Sequence, residues 1–135
     1  MELYYDEPWC KIYYLNDLDC VYLDWHGFAE DDQFQEACYA SLDLLKEKKL
    51  SKMIADNTDA RVVSIANQDW LNEVWFPKAY KEGYRASAIV VSKDLFNEVA
   101  VKKIVSEMDG GLFTVHFFQN LEAAKDWLRE ITDEI

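Results

Sequence analysis

The sequence predicts an α/β fold: one mixed, mostly parallel sheet of about five strands with about four helices packed on it. Three observations predict it. After an opening pair of strands, short apolar runs alternate with longer amphipathic segments, an order that calls for parallel strands joined by right-handed crossovers. The opening runs are rich in aromatic and β-branched residues and are separated by Asn16, Asp17, Leu18 and Asp19, turn chemistry of a hairpin. The run over residues 84–92 is apolar without alternation, as in a strand covered on both faces.

Taken in order, residues 11–15 and 20–28 form the hairpin. Asp31 and Asp32 open a first helix, in which Phe34, Ala37, Cys38, Leu42 and Leu45 recur at helical spacing and Lys46, Lys48 and Lys49 close the end; acids at the start and cations at the end suit the helix dipole. That placement accounts for the lysine cluster without a basic binding patch. Residues 52–56 are short and apolar in Met53, Ile54 and Ala55, as expected of a central strand. Ser64 is a natural N-cap for a second helix carrying Trp70, Leu71, Val74 and Trp75. Pro77, lacking an N–H and clashing with the preceding turn, should bend or restart that helix, which stops near Gly83.

After the strand at 84–92, a helix is predicted through Phe96, Val99, Ala100, Ile104 and Met108, ending at Gly110 and Gly111. Residues 112–118 supply the last strand, and Asn120 caps a final helix with Leu121, Ala124, Leu128 and Ile131 on one face. The order β-β-α-β-α-β-α-β-α runs through a single domain over residues 1–135, with no linker, repeat or low-complexity segment.

The chain of 135 residues is 50% hydrophobic and 15% aromatic, and its mean hydropathy is -0.28. It is long enough to bury one core. No apolar run reaches the roughly 18 residues of a membrane span, and the first residues lack the basic-then-apolar order of a secretory signal; a cytoplasmic location without membrane insertion is expected. A formal charge of -12 repels nucleic acid and anionic headgroups, so no nucleic-acid partner is expected. Cys10, Cys20 and Cys38 lack CxxC spacing and are read as buried free thiols.

The strand at 52–56 leading into helix two, the "ASAIVVS" strand and the closing "VHFFQNLEAAKDWLREI" resemble the STAS domain of anti-sigma-factor antagonists and sulfate transporters, and more narrowly the SpoIIAA-like group of stand-alone bacterial domains, described alongside the lipid-binding Sec14 fold. The likeness covers nearly the whole chain from Lys11. It implies a non-enzymatic, regulatory protein-interaction role. In the antagonists, the phosphorylated hydroxyl lies in an Asp-Ser-Ser/Thr-Gly run between the third strand and second helix. Here the junction reads "ADNTDARVVSIANQ": Asp56 stands where the family has its aspartate, and Thr58 and Ser64 are the available hydroxyls, but the tight hydroxyl-glycine run is absent. The phospho-switch does not carry over residue by residue.

The residues themselves leave several uses of this junction open. Ser64 at a helix N-terminus could receive a phosphoryl group or another anion, and it is equally accounted for as a cap; Thr58 is the second hydroxyl for phosphorylation. Asp56, Asp59 and Asp69 form no EF-hand-like loop, and His26 and His116 have no HxH or HxxxH partner, so no metal or other cofactor is expected. No nucleophile motif surrounds the cysteines and no glycine-rich phosphate loop occurs; an enzyme is not expected. Helical spacing cannot point Trp70, Val74, Leu71 and Trp75 all at the sheet. Surplus aromatics would be half exposed, form a homodimer or other protein contact, or line a pocket for an apolar small molecule or lipid between helix two and the sheet. The leading reading is binding of an unknown protein partner at Asp56, Asn57, Thr58, Ser64 and the front of helix two with Trp70 and Trp75. Apolar-ligand carriage of the Sec14-like kind is the alternative.

Overall fold

The computed structural model describes residues 1–131. Three antiparallel strands open the chain: β1 (Glu2–Glu7), β2 (Cys10–Leu15) and β3 (Cys20–Gly27). Then follow α1 (Asp31–Lys48), β4 (Lys52–Ala60), α2 (Ile65–Trp70), a π-helical turn (Leu71–Trp75), α3 (Phe76–Lys81), β5 (Ala86–Val90), α4 (Leu95–Ser106), β6 (Thr114–Phe118) and α5 (Leu121–Ile131). The six strands lie in consecutive order, β1-β2-β3-β4-β5-β6, and every pair from β3 onward is parallel. The α/β class and mixed sheet agree with expectation. One more strand is present than expected: β1, an edge strand broken by a bulge between Leu3 and Tyr5.

Consecutive order decides how the helices are distributed. Each crossover from β3 to β6 advances one strand in the same direction, and right-handed crossovers of that kind set all their helices on one face. That face carries Leu23, Met53 and Tyr84 in one cluster with Phe34, Cys38 and Leu45 of α1, Leu71 and Trp75 of the π turn, Ala79 of α3 and Ile104 of α4. The opposite face, with Cys20, Tyr22, Ile54, Ala88 and Val90, packs against Ala124 and Leu128 of α5. Strand order never reverses, so the rim at the strand ends lacks the crevice that a switch in winding direction opens in many α/β proteins.

The two predicted caps are in place: the Asn67 N–H donates to Ser64 Oγ at 3.1 Å, and the Ala123 N–H donates to Asn120 Oδ1 at 2.9 Å. Ahead of α1, where the sequence reading names no cap, the Glu30 N–H donates to Gln33 Oε1 at 3.0 Å. Pro77 acts one turn upstream of its own position. Its ring would meet the Glu73 carbonyl of a regular α-helix, and the helix instead widens over Leu71–Trp75, where the Phe76 N–H donates to the Leu71 carbonyl five residues back.

Two expectations need correction. The strand predicted over residues 52–56 continues to Ala60, because His26 and Gly27 of β3 extend the ladder opposite Asp59 and Ala60 after an irregularity at Asp24. Asn57 and Thr58 are therefore strand residues. The apolar stripe predicted on α4 is buried only in part: Ala100 and Ile104 turn inward together with Asn97, and Met108 packs against the core, while Phe96 is 80% and Val99 68% exposed.

Candidate functional site

At the predicted junction, strand alternation sends neighbouring side chains to opposite faces. Asp56 points to the α5 side of the sheet, in register with Asp24 and Val90. Its Oδ2 accepts a hydrogen bond from the Tyr22 hydroxyl at 2.8 Å. Its Oδ1 accepts from the Thr58 N–H at 3.1 Å and the Thr58 hydroxyl at 2.6 Å. Burial, and then the Asp56 hydrogen bond, push the Tyr22 hydroxyl pKa well up. Asp56 and Thr58 thus engage each other and Tyr22, while Ser64 is occupied with its helix. The structure does not bring these three together with Trp70 and Trp75.

Asn57 points the other way, to the face beneath the crossover helices, where a cavity of about 100 Å³ lies. Its floor is sheet: Leu23, Met53, Ala55 and Ile89. Its roof is formed by Phe34 and Cys38 of α1, Leu71 and Trp75 of the π turn, and Val101, Ile104 and Val105 of α4. An aromatic frame supports it. Trp25 and Phe34 stack at 4.9 Å, Trp75 meets Tyr84 edge-on at 5.8 Å, and the Trp75 Nε1–H donates to the Cys38 carbonyl at 3.0 Å. Leu71 and Trp75, the first and last residues of the π turn, both line this inner wall.

Trp70 does not line the cavity; it rests edge-on against Phe34 at 6.5 Å and Tyr39 at 5.5 Å. An outer groove of about 360 Å³ runs between α3 and the segment leading to β6. Phe76 and Met108 belong to the walls of both groove and cavity, so flexible or rotatable side chains separate the interior from solvent there.

No residue lining the cavity carries a charge. Of its polar groups, the Ser41 hydroxyl donates to the Cys38 carbonyl at 2.7 Å. Burial raises the Tyr84 hydroxyl pKa, opposed by a hydrogen bond from Ser87. Asn57 as a residue is 8% exposed. On α4, Asn97 Oδ1 accepts from the Val63 N–H at 3.3 Å while Nδ2 is unpaired among the described residues.

The remaining titratable candidates have structural company. His26 Nε2 lies 2.9 Å from Asp24 Oδ2, and His116 stacks on Trp127 at 4.8 Å. Asp59 lies 3.6 Å from Lys93 Nζ. Cys10, Cys20 and Cys38 are free and buried, and among the described residues no group of three or more His, Cys, Asp or Glu is arranged to hold a metal. No described helix is long and apolar enough to cross a membrane.

Sequence reasoning selected Asn57 and Trp75 but missed the sheet floor and the α4 wall. No protein-family model, curated protein or solved structure matches the chain.

Proposed function

We propose that this protein binds a small apolar molecule in the cavity between the sheet and the π-helical turn. The observation that carries the reading is the uncharged void itself, about 100 Å³ in volume, within an otherwise close-packed core. Protein interiors contain few voids larger than a water molecule, and an engineered apolar cavity of about 150 Å³ remains dry and takes up benzene or xenon. The π turn supports the reading, since such turns occur frequently at functional sites, and here it supplies two wall residues. The volume favours a ring-sized ligand over the acyl chain of a Sec14-like carrier. Entry would pass between Phe76 and Met108.

The test is a titration of the intact chain with benzene, followed by NMR. Shifts of the Trp75 indole N–H and of the Met53 and Ile104 methyl groups, saturating below the solubility limit of benzene, are expected. Unchanged resonances at that limit would overturn the proposal.

A protein-contact role of the STAS-like kind is the second reading, favoured by the outer surface of α4. Leu95, Phe96 and Val99 are 73%, 80% and 68% exposed within one turn. Such an apolar group at the surface is a recognised contact feature. It moves the expected contact from the Asp56 junction to α4. Sedimentation across a hundredfold concentration range, repeated on Phe96→Asp, tests its homodimer form: association in the parent chain lost in the variant supports it, and a concentration-independent monomer removes that form.

A further inference from the structure

We propose that the ligand is an aromatic ring bearing a short apolar chain, with the ring in the cavity and the chain in the outer groove between α3 and the segment leading to β6. This rests on the cavity reading above and goes on to the ligand's chemistry. The cavity, about 100 Å³, is smaller than the roughly 300–1,000 Å³ of small-molecule sites. Together with the adjoining groove, about 360 Å³, it comes into that range. Any substituent on a ring seated in the cavity has to leave it, and the groove is where it arrives, because Phe76 and Met108 are walls of both. The aromatic walls Phe34, Trp75 and Tyr84 suit a ring, since aromatic pairs gain from stacked and edge-on contact.

The two shared residues form unequal sides of the passage. The Phe76 ring is held on both flanks, edge-on to Trp75 of the cavity at 5.2 Å and to Phe113 of the groove at 5.8 Å. Met108 lies just past the end of α4 and is half-buried, and an unbranched thioether with three rotatable bonds adapts to irregular gaps. Met108 is therefore the side that yields, and the chain passes it along the fixed face of Phe76.

The composition of the groove makes the chain apolar. Phe76, Pro77, Tyr80, Met108, Leu112 and Phe113 form its walls. Two of its polar groups are already engaged: Asn72 Nδ2 donates to the Ile104 carbonyl at 3.2 Å, and Asp109 Oδ1 accepts from the Gly111 N–H at 2.8 Å. Lys81, Glu107 and Asp109 bring charges of both signs, so the groove selects neither a cationic nor an anionic terminus. At the other end, no residue lining the cavity is charged, and an ionised ring would lose its hydration there with nothing to replace it.

The experiment titrates benzene, ethylbenzene and butylbenzene into the intact chain and into Leu112→Asp, with affinities from NMR. Leu112 is 37% exposed and borders the groove without lining the cavity, so the variant should bind benzene as the parent does. In the parent, affinity should rise about fourfold for each CH₂ from ethylbenzene to butylbenzene, the equivalent of about 0.8 kcal/mol per buried CH₂. Butylbenzene should also shift the Leu112 methyl resonances, which benzene leaves in place. In Leu112→Asp the gain from ethylbenzene to butylbenzene should shrink at least fourfold. If benzene binds but affinity is level or falls from ethylbenzene to butylbenzene, or the gain is undiminished in Leu112→Asp, this inference fails and the cavity reading stands. If none of the three binds the parent chain, both fail. Should Leu112→Asp not fold, the Leu112 methyl resonances of the parent decide: shifts with butylbenzene well beyond those with benzene are expected, and equal shifts overturn the assignment.

Discussion

Ala55→Val is the substitution that most directly weighs the cavity. Ala55 lies on its floor, in register between Leu23 of β3 and Ile89 of β5, so a larger side chain there projects into the void. At about 24 cal/mol per Å³ of void, a cavity of about 100 Å³ costs about 2.4 kcal/mol of stability. Valine adds two methyl groups, and at about 0.8 kcal/mol per buried carbon it should recover about 1.6 kcal/mol. For a chain of 135 residues, that raises Tm by about 5 °C. Urea denaturation with an unchanged m-value is the assay, and the same variant should lose most of its benzene affinity. Ala88→Val is the control, because Ala88 is fully buried in the closely packed opposite cluster with Ala124 and Leu128; overpacking there should cost about 1–3 kcal/mol. The reasoning is refuted if Ala55→Val destabilises the protein as Ala88→Val does.

Two further outcomes follow from the same contacts. Ser64→Ala removes the oxygen that accepts from the Asn67 N–H and should lower unfolding free energy by about 1 kcal/mol while leaving benzene binding unchanged, read by urea denaturation and the NMR titration. Alkaline pH should weaken the fold through Cys20, whose thiol is raised by burial from 9.0 to about 12. Between those values the unfolded thiol has ionised and the folded one has not, so the unfolded state binds fewer protons and stability falls as pH rises from about 9, levelling above about 12. Unfolding free energies of the parent and Cys20→Ala at pH 7 and 10.5 should show a steeper decline in the parent.

Most of the architecture was legible because local chemistry and tertiary structure agree. Ser64 and Asn120 cap, Pro77 disrupts, and the α5 stripe of Leu121, Ala124 and Leu128 faces the sheet as its spacing requires. The failures have a common cause in neighbours that lie far off in sequence. Asn57, Thr58 and Asp59 carry turn propensity, yet the β3 edge beside them holds them extended. β1 reads as polar, and its pairing with β2 alone gives it no alternation strong enough to stand out. On α4, Phe96 and Val99 satisfied a helical period, but the buried direction was set by what α2 and the sheet offered on the inside. The cavity was illegible for a deeper reason: it is a shortfall in summed side-chain volume over strands and helices from across the chain, and no window of sequence contains that sum. Asn57 was noticed for its place at a strand end, whereas its interest lies in having been carried inside.

The π turn imposes a constraint of residue count. It holds one residue more than the α-helix it interrupts, and each residue of an α-helix turns it by about 100°. Ahead of it, Asn67 is fastened to α1 through the Gln35 amide and the Asp31 carbonyl; behind it, Ala79 is fully buried. A single deletion among residues 71–75 would allow unbroken winding only by rotating one anchored end against the other, carrying either the Asn67 junction or Ala79 off its seat. Substitutions in this stretch alter what the wall is made of, whereas a change of length would dismantle the wall.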